Sequence, residues 1–257
     1  MLNNNKPRDK RGFGMFKKIS KIFNFGKNFV VDIIWSMECL GCGVSGEWIC
    51  NRCKMSLPIS QDFPCMVCMK PCIGGEVHLA CSEESGVRGL LVSSSRKHRV
   101  LKEAIRLIKY ENLREVAKDL GYLLVQKVEV SVLVLNLLMN QDTLVIPVPL
   151  HKAREWERGY NQSKLLAQEL AINFPATLGS GIVIRHKQTK TQTGFDRKKR
   201  FLNMKDAFQV VQADLVKNKN IILVDDVITS GATLDELAKV LKLNGAKEIW
   251  GVVLARG

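Results

Sequence analysis

The sequence predicts an α/β fold, in which a parallel β-sheet is covered by helices on both faces and is preceded by a small metal-binding module. Two observations indicate the sheet: short apolar runs recur from residue 87 to the C-terminal end, and amphipathic segments with helical spacing separate them. A third observation indicates the module, because all eight cysteines lie between residues 39 and 81. At 257 residues the chain is long enough for both parts.

The apolar runs and the segments between them give the order of the elements. Strands are expected at residues 87–95, 143–148, 182–186, 221–224 and 248–254, and helices at residues 98–110, 113–128 and 234–243. Because strands that alternate with helices form a parallel sheet, we expect ligands to bind at the carboxyl ends of the strands. We therefore predict an N-terminal segment at residues 1–28, a metal-binding domain at 29–84 and an α/β domain at 85–257.

The N-terminal segment is strongly basic, and the whole chain carries a formal net charge of +14, which favours anionic partners. Residues 1–14 are polar and are predicted to be disordered, and Met15 could be the true start. Beyond them, Ile19, Ile22 and Phe23 recur at helical spacing among lysines. This segment could dock on the metal module as a short helix, or it could lie on an anionic membrane.

The sequence also bears on the compartment. No apolar run reaches the roughly 18 residues that a membrane span needs, and the basic start lacks the apolar core of a secretory signal. We therefore expect a cytoplasmic protein, with peripheral contact at the membrane as an open alternative. In the cytoplasm, cysteines in pairs are more often metal ligands than disulfides.

The metal ligands come in pairs separated by two residues, the spacing of a knuckle that presents two ligands to one ion. Consecutive pairs form two sets of four: Cys39, Cys42, Cys50 and Cys53, followed by Cys65, Cys68, His78 and Cys81. Since both sets are closed, we expect two structural zinc ions and no open position for catalysis. Two alternatives stay open: Cys72 in place of His78, and a crossed pairing in which alternate knuckles share an ion.

The candidate ligand site begins where the strand at residues 221–224 runs into two acids, Asp225 and Asp226. A small, hydroxyl-rich segment follows and leads into a predicted helix: Thr229, Ser230, Gly231, Ala232 and Thr233. Backbone N–H groups at a helix start, together with the helix dipole, bind phosphate. The acids would be repelled by phosphate, so they suit sugar hydroxyls or a magnesium ion. The pattern predicts a site for a ribose 5-phosphate group.

Residues 224–233 resemble the phosphoribosyl pyrophosphate (PRPP) motif of type I phosphoribosyltransferases in their apolar run, paired acids and TSGAT loop. The resemblance implies the type I phosphoribosyltransferase-like fold for the α/β domain. It also implies that Asp225 and Asp226 hold the ribose hydroxyls, and that residues 229–233 hold the 5-phosphate. As catalytic residues the two acids could stabilise positive charge that develops on the sugar, and magnesium would bind with PRPP.

A second loop follows the strand at residues 143–148 and carries Pro149, Arg154 and Arg158. Two arginines four residues apart at a strand end can both bind a polyphosphate. His151 in this loop could act as a general base, although a loop histidine more often bonds to backbone. By resemblance this is the pyrophosphate-binding loop. Its sequence pattern, PVPxHxxRxxxRGYNQ, resembles the signature of the ComF family of competence proteins.

Three further segments resemble the ComF family: residues 107–110, a polar segment that contains Arg185 and Arg200, and the N-terminal double zinc ribbon. In the transferases the polar segment is a mobile loop that folds over PRPP, so we predict Arg185 and Arg200 as further PRPP ligands. Its positive charge could instead follow a nucleic-acid backbone, although few aromatic residues accompany it.

The resemblance leaves two functions open, because the same site fits both. A ComF protein would assist the uptake and handling of single-stranded DNA in natural transformation, with PRPP as a bound ligand. Its partners would then include the DNA-uptake machinery at the inner face of the membrane. The alternative is an active transferase, similar to the amidophosphoribosyltransferases, that moves ribose 5-phosphate from PRPP to an unidentified acceptor. We expect the first role.

Overall fold

The computed structural model describes residues 37–189 and 197–257 of the chain. The predictions for residues 1–28, and for the part of the polar loop at 190–196, lie outside the described residues. Residues 38–257 form one compact unit that contains both the cysteine-rich segment and the α/β segment. The predicted domain boundary between residues 84 and 85 stays a prediction.

The described residues form seven strands, numbered in chain order. They are β1 (Gly89–Ser95), β2 (Thr143–Pro147), β3 (Thr177–Leu178), β4 (Val183–Arg185), β5 (Phe208–Val210), β6 (Asn220–Ile228) and β7 (Glu248–Arg256). Five of them form one sheet in the order β1-β7-β6-β2-β3, and every neighbouring pair is parallel. The predicted α/β fold with a parallel sheet is confirmed.

Helices connect the strands and cover the sheet. In the described residues they are α1 (Asn51–Met55), α2 (Arg99–Tyr110), α3 (Val116–Glu129), α4 (Val132–Leu138), α5 (Lys152–Arg158), α6 (Gln162–Asn173), α7 (Arg197–Met204), α8 (Ala213–Val216) and α9 (Ala232–Leu243). Within the described ranges no single helix is long and apolar enough to span a bilayer. Helices α3 and α4 reach that length and hydropathy only when they are taken together, and a bend of 112° separates them.

The sheet is buried on both faces, and alternate residues of β6 point to opposite sides, as the two-residue period of a strand requires. Ile222 and Val224 belong to one core cluster with residues of α2, α3 and α6. Ile221 and Leu223 belong to the other cluster with residues of α9. All four side chains are fully buried, which explains the continuous apolar run in the sequence.

Two strand predictions need correction. The segment predicted at residues 182–186 forms β4, but β4 pairs antiparallel with β5 in a separate two-stranded sheet instead of joining the main sheet. The edge position is taken by β3, whose two residues are too few to produce an apolar run. The central strand also runs beyond residue 224, because the pairing with β7 continues to Ile228 and Arg256. The two acids therefore lie within β6 and not after it.

The cysteine-rich segment packs into both cores of the α/β segment. Ile49 and Leu57 belong to the cluster formed with α2 and α3. Met66 belongs to the other cluster, which contains Ile228 and Ala232 beside the predicted phosphate loop. A module with little apolar area of its own thus gains stability from the larger neighbour.

A buried lysine holds the segment between the two cysteine sets. Lys127 of α3 is fully buried, and its Nζ donates to the backbone oxygens of Ser60 at 2.7 Å and Asp62 at 3.2 Å. The same ammonium group lies 3.6 Å from the ring centroid of Phe63. These contacts fix the linker to the α/β segment, although no carboxylate within ion-pair distance of Lys127 is found in the described chain.

This burial predicts a pH-dependent stability. Burial lowers the pKa of Lys127 from its ordinary value of 10.5 to about 8. Between these values the unfolded chain binds more protons than the folded one, so the free energy of unfolding should rise with pH across this window. The total gain expected from pH 8 to pH 10.5 is on the order of 2 to 3 kcal/mol. Urea unfolding at half-unit steps of pH measures it.

The matched variants are Lys127→Met, which has no charge to bury, and Lys118→Met, which removes an exposed lysine from the same helix. We expect the rise between pH 8 and 10.5 to disappear in Lys127→Met and to persist in Lys118→Met. Parallel pH profiles for wild type and Lys127→Met would contradict the prediction.

Candidate functional site

Two acids near the carboxyl end of β6 form the centre of the site. Asp225 accepts a hydrogen bond from Ser163 Oγ at 2.8 Å and from the backbone N–H of Asp226 at 2.9 Å. Asp226 is buried and accepts from Gln162 Nε2 at 2.9 Å. Its other oxygen lies 2.8 Å from Nζ of Lys109, which comes from the last turn of α2. Side chains from α2 and α6 thus orient both carboxylates.

The two acids differ in their electrostatic environment. Burial and the neighbouring charge of Asp226 together raise the pKa of Asp225 to about 7, against the hydrogen bond from Ser163. Asp226 has the ammonium of Lys109 as a direct partner. The site therefore contains one acid that gains or loses its charge near neutral pH and one acid that is held in an ion pair.

The loop after β6 has the geometry of an anion site. Gly231 has φ +81° and immediately precedes α9, a helix of 12 residues. The first bond within this helix runs from the N–H of Asp235 to the oxygen of Gly231 at 2.9 Å. The N–H groups of Thr233 and Leu234 come before that bond and have no partner within the helix. Both residues line the cleft, so the start of the helix, where the dipole is positive, borders it.

Position 231 requires glycine for two reasons, its backbone conformation and the closeness of Met66. Its positive φ is a conformation that residues with a Cβ rarely adopt. A Cβ built at Gly231 would also lie 3.3 Å from Cγ and 3.4 Å from the backbone oxygen of Met66. Met66 lies in the Cys65–Cys68 knuckle, so the cysteine-rich segment packs directly on the loop.

Helix α5 supplies two arginines to the same cleft. Arg154 and Arg158 both line the cleft, and Arg158 Nη1 donates to Gln162 Oε1 at 2.9 Å. His151 caps this helix, since its Nδ1 accepts from the N–H of Ala153 at 3.3 Å. Of the two alternatives for His151, the structure thus supports the backbone bond.

Arg185 at the end of β4 adds a buried cation. Its guanidinium donates to Thr189 Oγ1, and a further contact runs to Met204 Sδ at 3.5 Å. Burial lowers the pKa of Arg185 to about 10, with a contribution from the charge of Arg154. Its Nε is buried without a hydrogen-bond partner, and no carboxylate within ion-pair distance of it is found in residues 37–189 or 197–257. A buried cation of this kind is suited to an anionic ligand.

These elements enclose a cleft of about 220 Å³ at the carboxyl edge of the sheet. The predicted residues that line it are Asp225, Asp226, Thr229, Ser230, Gly231, Ala232, Thr233, Arg154, Arg158 and Arg185. Pro149 is not among the lining residues, although its neighbours Val148 and Leu150 are. Arg200 lies on α7, also outside the lining set, with its Nε buried and lacking a hydrogen-bond partner in the described part of the chain.

Sequence reasoning missed four residues of the site: Lys109, Gln162, Ser163 and Thr189. Three of them were present in segments that resemble the ComF family, but the sequence did not assign them a partner. The contact of Gln162 with Asp226 joins residues 64 positions apart, and such a pairing leaves no local pattern. The signal available in the sequence was the polar character of residues 161–163, where Asn161 caps the start of α6 in the structure.

The cysteine-rich segment contains two groups of four ligand atoms, and within each group the atoms lie within 4.8 Å of one another. The groups are Cys39, Cys42, Cys50 and Cys53, and then Cys65, Cys68, His78 and Cys81. Consecutive knuckles are therefore brought together, in preference to alternate ones. Cys72 lies outside both groups, and its thiol donates to the oxygen of Phe63 at 3.1 Å.

The donor sets fit zinc, which favours four thiolate or imidazole ligands in a tetrahedron. His78 is oriented for this role, because its Nε2 donates to the oxygen of Pro71 at 3.0 Å. That hydrogen bond leaves Nδ1, which lies 3.3 Å from Cys68 Sγ, as the nitrogen able to bind a metal. In the first group, the hydrogen bond with Cys50 and burial raise the pKa of the Cys53 thiol.

The C-terminal part of the chain belongs to a known class of domain. Residues 161–257 match the family model described as "Phosphoribosyl transferase domain". This range includes the two acids, the loop at residues 229–233 and helix α6.

The chain belongs to the ComF family of competence proteins. It is 30% identical over 220 residues to "DNA utilization protein YhgH" of Salmonella typhi, which covers 79% of this chain and 95% of that protein. It is 26% identical over 243 residues to "Competence protein ComFC" of Bacillus subtilis, covering 91% and 92% of the two chains. "Competence protein F" of Haemophilus influenzae is 44% identical over 114 residues, which are 43% of this chain and half of that protein.

Proposed function

We propose that this protein binds PRPP with magnesium in the cleft and that it assists the handling of single-stranded DNA in natural transformation. The observation that carries the proposal is the combination of groups that line one cleft. An anion site at the start of α9, two acids on β6 and three arginines all border one space of about 220 Å³. PRPP carries a matching combination of groups: a phosphate, a sugar diol and a pyrophosphate.

Each part of the cleft has a role in this proposal. Residues 229–233 hold the 5-phosphate through backbone N–H groups and hydroxyls. Asp225 and Asp226 accept hydrogen bonds from the ribose hydroxyls. Arg154, Arg158 and the buried Arg185 bind the pyrophosphate, which magnesium would accompany. Arg200 could join them only if helix α7 moved, since it lies outside the cleft lining.

The DNA role is supported by the family and by charge. The relatives are named for competence and for DNA utilization, and the net charge of +14 favours a polyanion. In this role the two zinc ions are structural and hold the cysteine-rich segment on the domain. Contact with the DNA-uptake machinery, at the inner face of the membrane, would then place the protein in the cytoplasm.

The test is a calorimetric titration with PRPP and magnesium at pH 6 and pH 8. With the pKa of Asp225 raised to about 7, its carboxyl is mostly neutral at pH 6 and mostly charged at pH 8. Hydrogen bonds from ribose hydroxyls and any contact with magnesium are stronger with the charged form. We therefore expect PRPP affinity to rise from pH 6 to pH 8 by up to roughly tenfold, the ratio of the two charged fractions.

Two variants separate this effect from the titration of PRPP itself. Asp225→Asn cannot change its charge, so we expect weaker binding and a smaller pH dependence, which reports the ligand alone. His151→Asn changes a side chain of the same loop that lies outside the cleft lining and keeps a good helix cap, so it should behave like wild type. The absence of any binding heat in wild type would refute the PRPP site.

A second assay distinguishes a bound ligand from a substrate. Pyrophosphate release from PRPP is measured over a panel of nucleobases, amines and oligonucleotides, with Asp225→Ala as the control. Release that is lost in the variant would favour the transferase alternative. Binding of PRPP without release, together with salt-sensitive binding of single strands, would favour the DNA role.

A further inference from the structure

We propose that Tyr110 and Arg158 form a stacking site for a nucleobase beside the cleft, and that the base belongs to a single strand of nucleic acid. The inference rests on the proposed function, because it gives the DNA role a location on the surface. Tyr110 lies in the segment 107–110, and neither that segment nor the loop at residues 229–233 has so far given this residue a role.

The geometry of the pair carries the proposal. Tyr110 is the last residue of α2 and remains 69% exposed. The guanidinium of Arg158 lies 5.4 Å from the centroid of its ring. Arg158 lines the cleft, and so does Lys109, which precedes Tyr110 in the chain. The ring therefore stands next to the opening of the cleft, with one face open to a ligand.

The pair is held in place from the interior of the site. Arg158 donates to Gln162, and Gln162 in turn donates to Asp226. Asp226 is also paired with Lys109 on the same helix as Tyr110. A continuous set of polar contacts thus joins the exposed ring to the acids on β6. A planar group that stacks on Tyr110 would lie close to a ligand bound to those acids.

The chemistry of the pair favours a nucleobase. Exposed aromatic rings with an adjacent cation bind bases of single strands, because every base has a π-face and each strand carries phosphates. A second exposed cation is close by, since Arg114 donates to the backbone oxygen of Gly159 at 3.2 Å, one residue beyond Arg158. The one open face of the Tyr110 ring would bind a free base only weakly. A strand adds contacts between its phosphates and the nearby cations, so we assign the base to a strand.

The chain offers a natural control in Trp156. This residue of α5 is 88% exposed, and it is flanked by the exposed acids Glu155 and Glu157. No cation lies over its ring in the described part of the molecule. Because it lacks the stacked cation that Tyr110 has, it should contribute little to the binding of a strand although it is the larger aromatic residue.

The experiment measures the fluorescence anisotropy of a labelled thymidine oligonucleotide and of an abasic strand of the same length. In Tyr110→Ala we expect roughly tenfold weaker binding of the thymidine strand, which corresponds to the loss of one stacked base. Tyr110→Phe and Trp156→Ala should bind like wild type. The abasic strand should bind wild type and Tyr110→Ala equally, and the salt dependence should not change, because phosphate contacts remain. Thermal midpoints check that the variants are folded.

The outcomes are distinguishable from failure of the proposed function. Equal binding of the thymidine strand by wild type and Tyr110→Ala would overturn the inference and leave the DNA role intact. Free thymidine that competes as well as the strand would overturn the assignment to a strand. PRPP titration of the same variants tests the cleft independently, since Tyr110 does not line it. A wild type that binds PRPP but no strand would refute both the DNA role and the stacking site.

Discussion

Replacing Cys68 by serine is expected to weaken PRPP binding strongly as well as to lower the free energy of unfolding. Replacing Cys42 by serine is expected to affect stability with little change in PRPP affinity. The two variants should differ in PRPP affinity because the ligand group that contains Cys68 lies beside the loop at residues 229–233. Met66, two residues before Cys68, would contact a Cβ at Gly231, and Arg256 Nη1 bonds to the oxygen of Met69 at 3.4 Å.

The expected size of the effect is large. A structural zinc ion supplies on the order of 10 kcal/mol of folding free energy, and loss of one ligand removes much of it. Zinc content measured by atomic emission should fall from two ions per chain to one in each variant. Urea unfolding and PRPP titration, carried out on both variants at equal concentrations, then separate the two groups.

Met66→Ala tests the contact without touching a ligand. Met66 is 2% exposed, and truncation of a buried methionine costs about 2 to 5 kcal/mol. The variant should keep both zinc ions and yet bind PRPP more weakly, because the loop loses its packing partner. If Cys68→Ser, Cys42→Ser and Met66→Ala all bind PRPP like wild type, the cysteine-rich segment does not support the loop.

The parts of the site that sequence could predict are those with a local cause. The apolar run 221–224 must be buried on both faces, and the small, hydroxyl-rich residues after the acids are typical of a turn that leads into a helix. Cysteine spacing likewise predicted the knuckles, because two ligands separated by two residues can meet only on a tight turn. In each case neighbours in the chain are also neighbours in space.

The parts that sequence could not predict depend on tertiary packing. Residues 182–186 have the composition of a buried strand, so the sequence placed them in the main sheet. In the structure β4 pairs with β5 at Phe208–Val210, and the composition of a strand does not say which strand it pairs with. To choose between Cys72 and His78 as the ligand, one must know where Pro71 lies, because its oxygen fixes the imidazole. To identify Lys109 as the partner of Asp226, one must know that α2 approaches β6, and no spacing within the chain encodes that contact.

That last contact predicts the second large effect. Lys109→Met is expected to destabilise the protein by about 3 to 5 kcal/mol, since it leaves the charge of Asp226 buried without its cation. The side chain of Asp226 is 4% exposed, and that of Lys109 is 19% exposed. The one hydrogen bond from Gln162 compensates the charge only in part. Urea unfolding at pH 8, with Lys102→Met as an exposed control on the same helix, measures the cost.

A double-mutant cycle then assigns the cost to the pair. Asp226→Asn removes the charge and keeps an oxygen that can accept from Gln162, while Lys109 can turn its ammonium toward solvent. We expect Lys109→Met combined with Asp226→Asn to be more stable than Lys109→Met alone, with a coupling of about 1 to 3 kcal/mol. Additive effects would mean that the two side chains do not interact in solution. Because Asp226 accepts from both Lys109 and Gln162, a real coupling would also show that α2 orients the acid on which the proposed ribose contact depends.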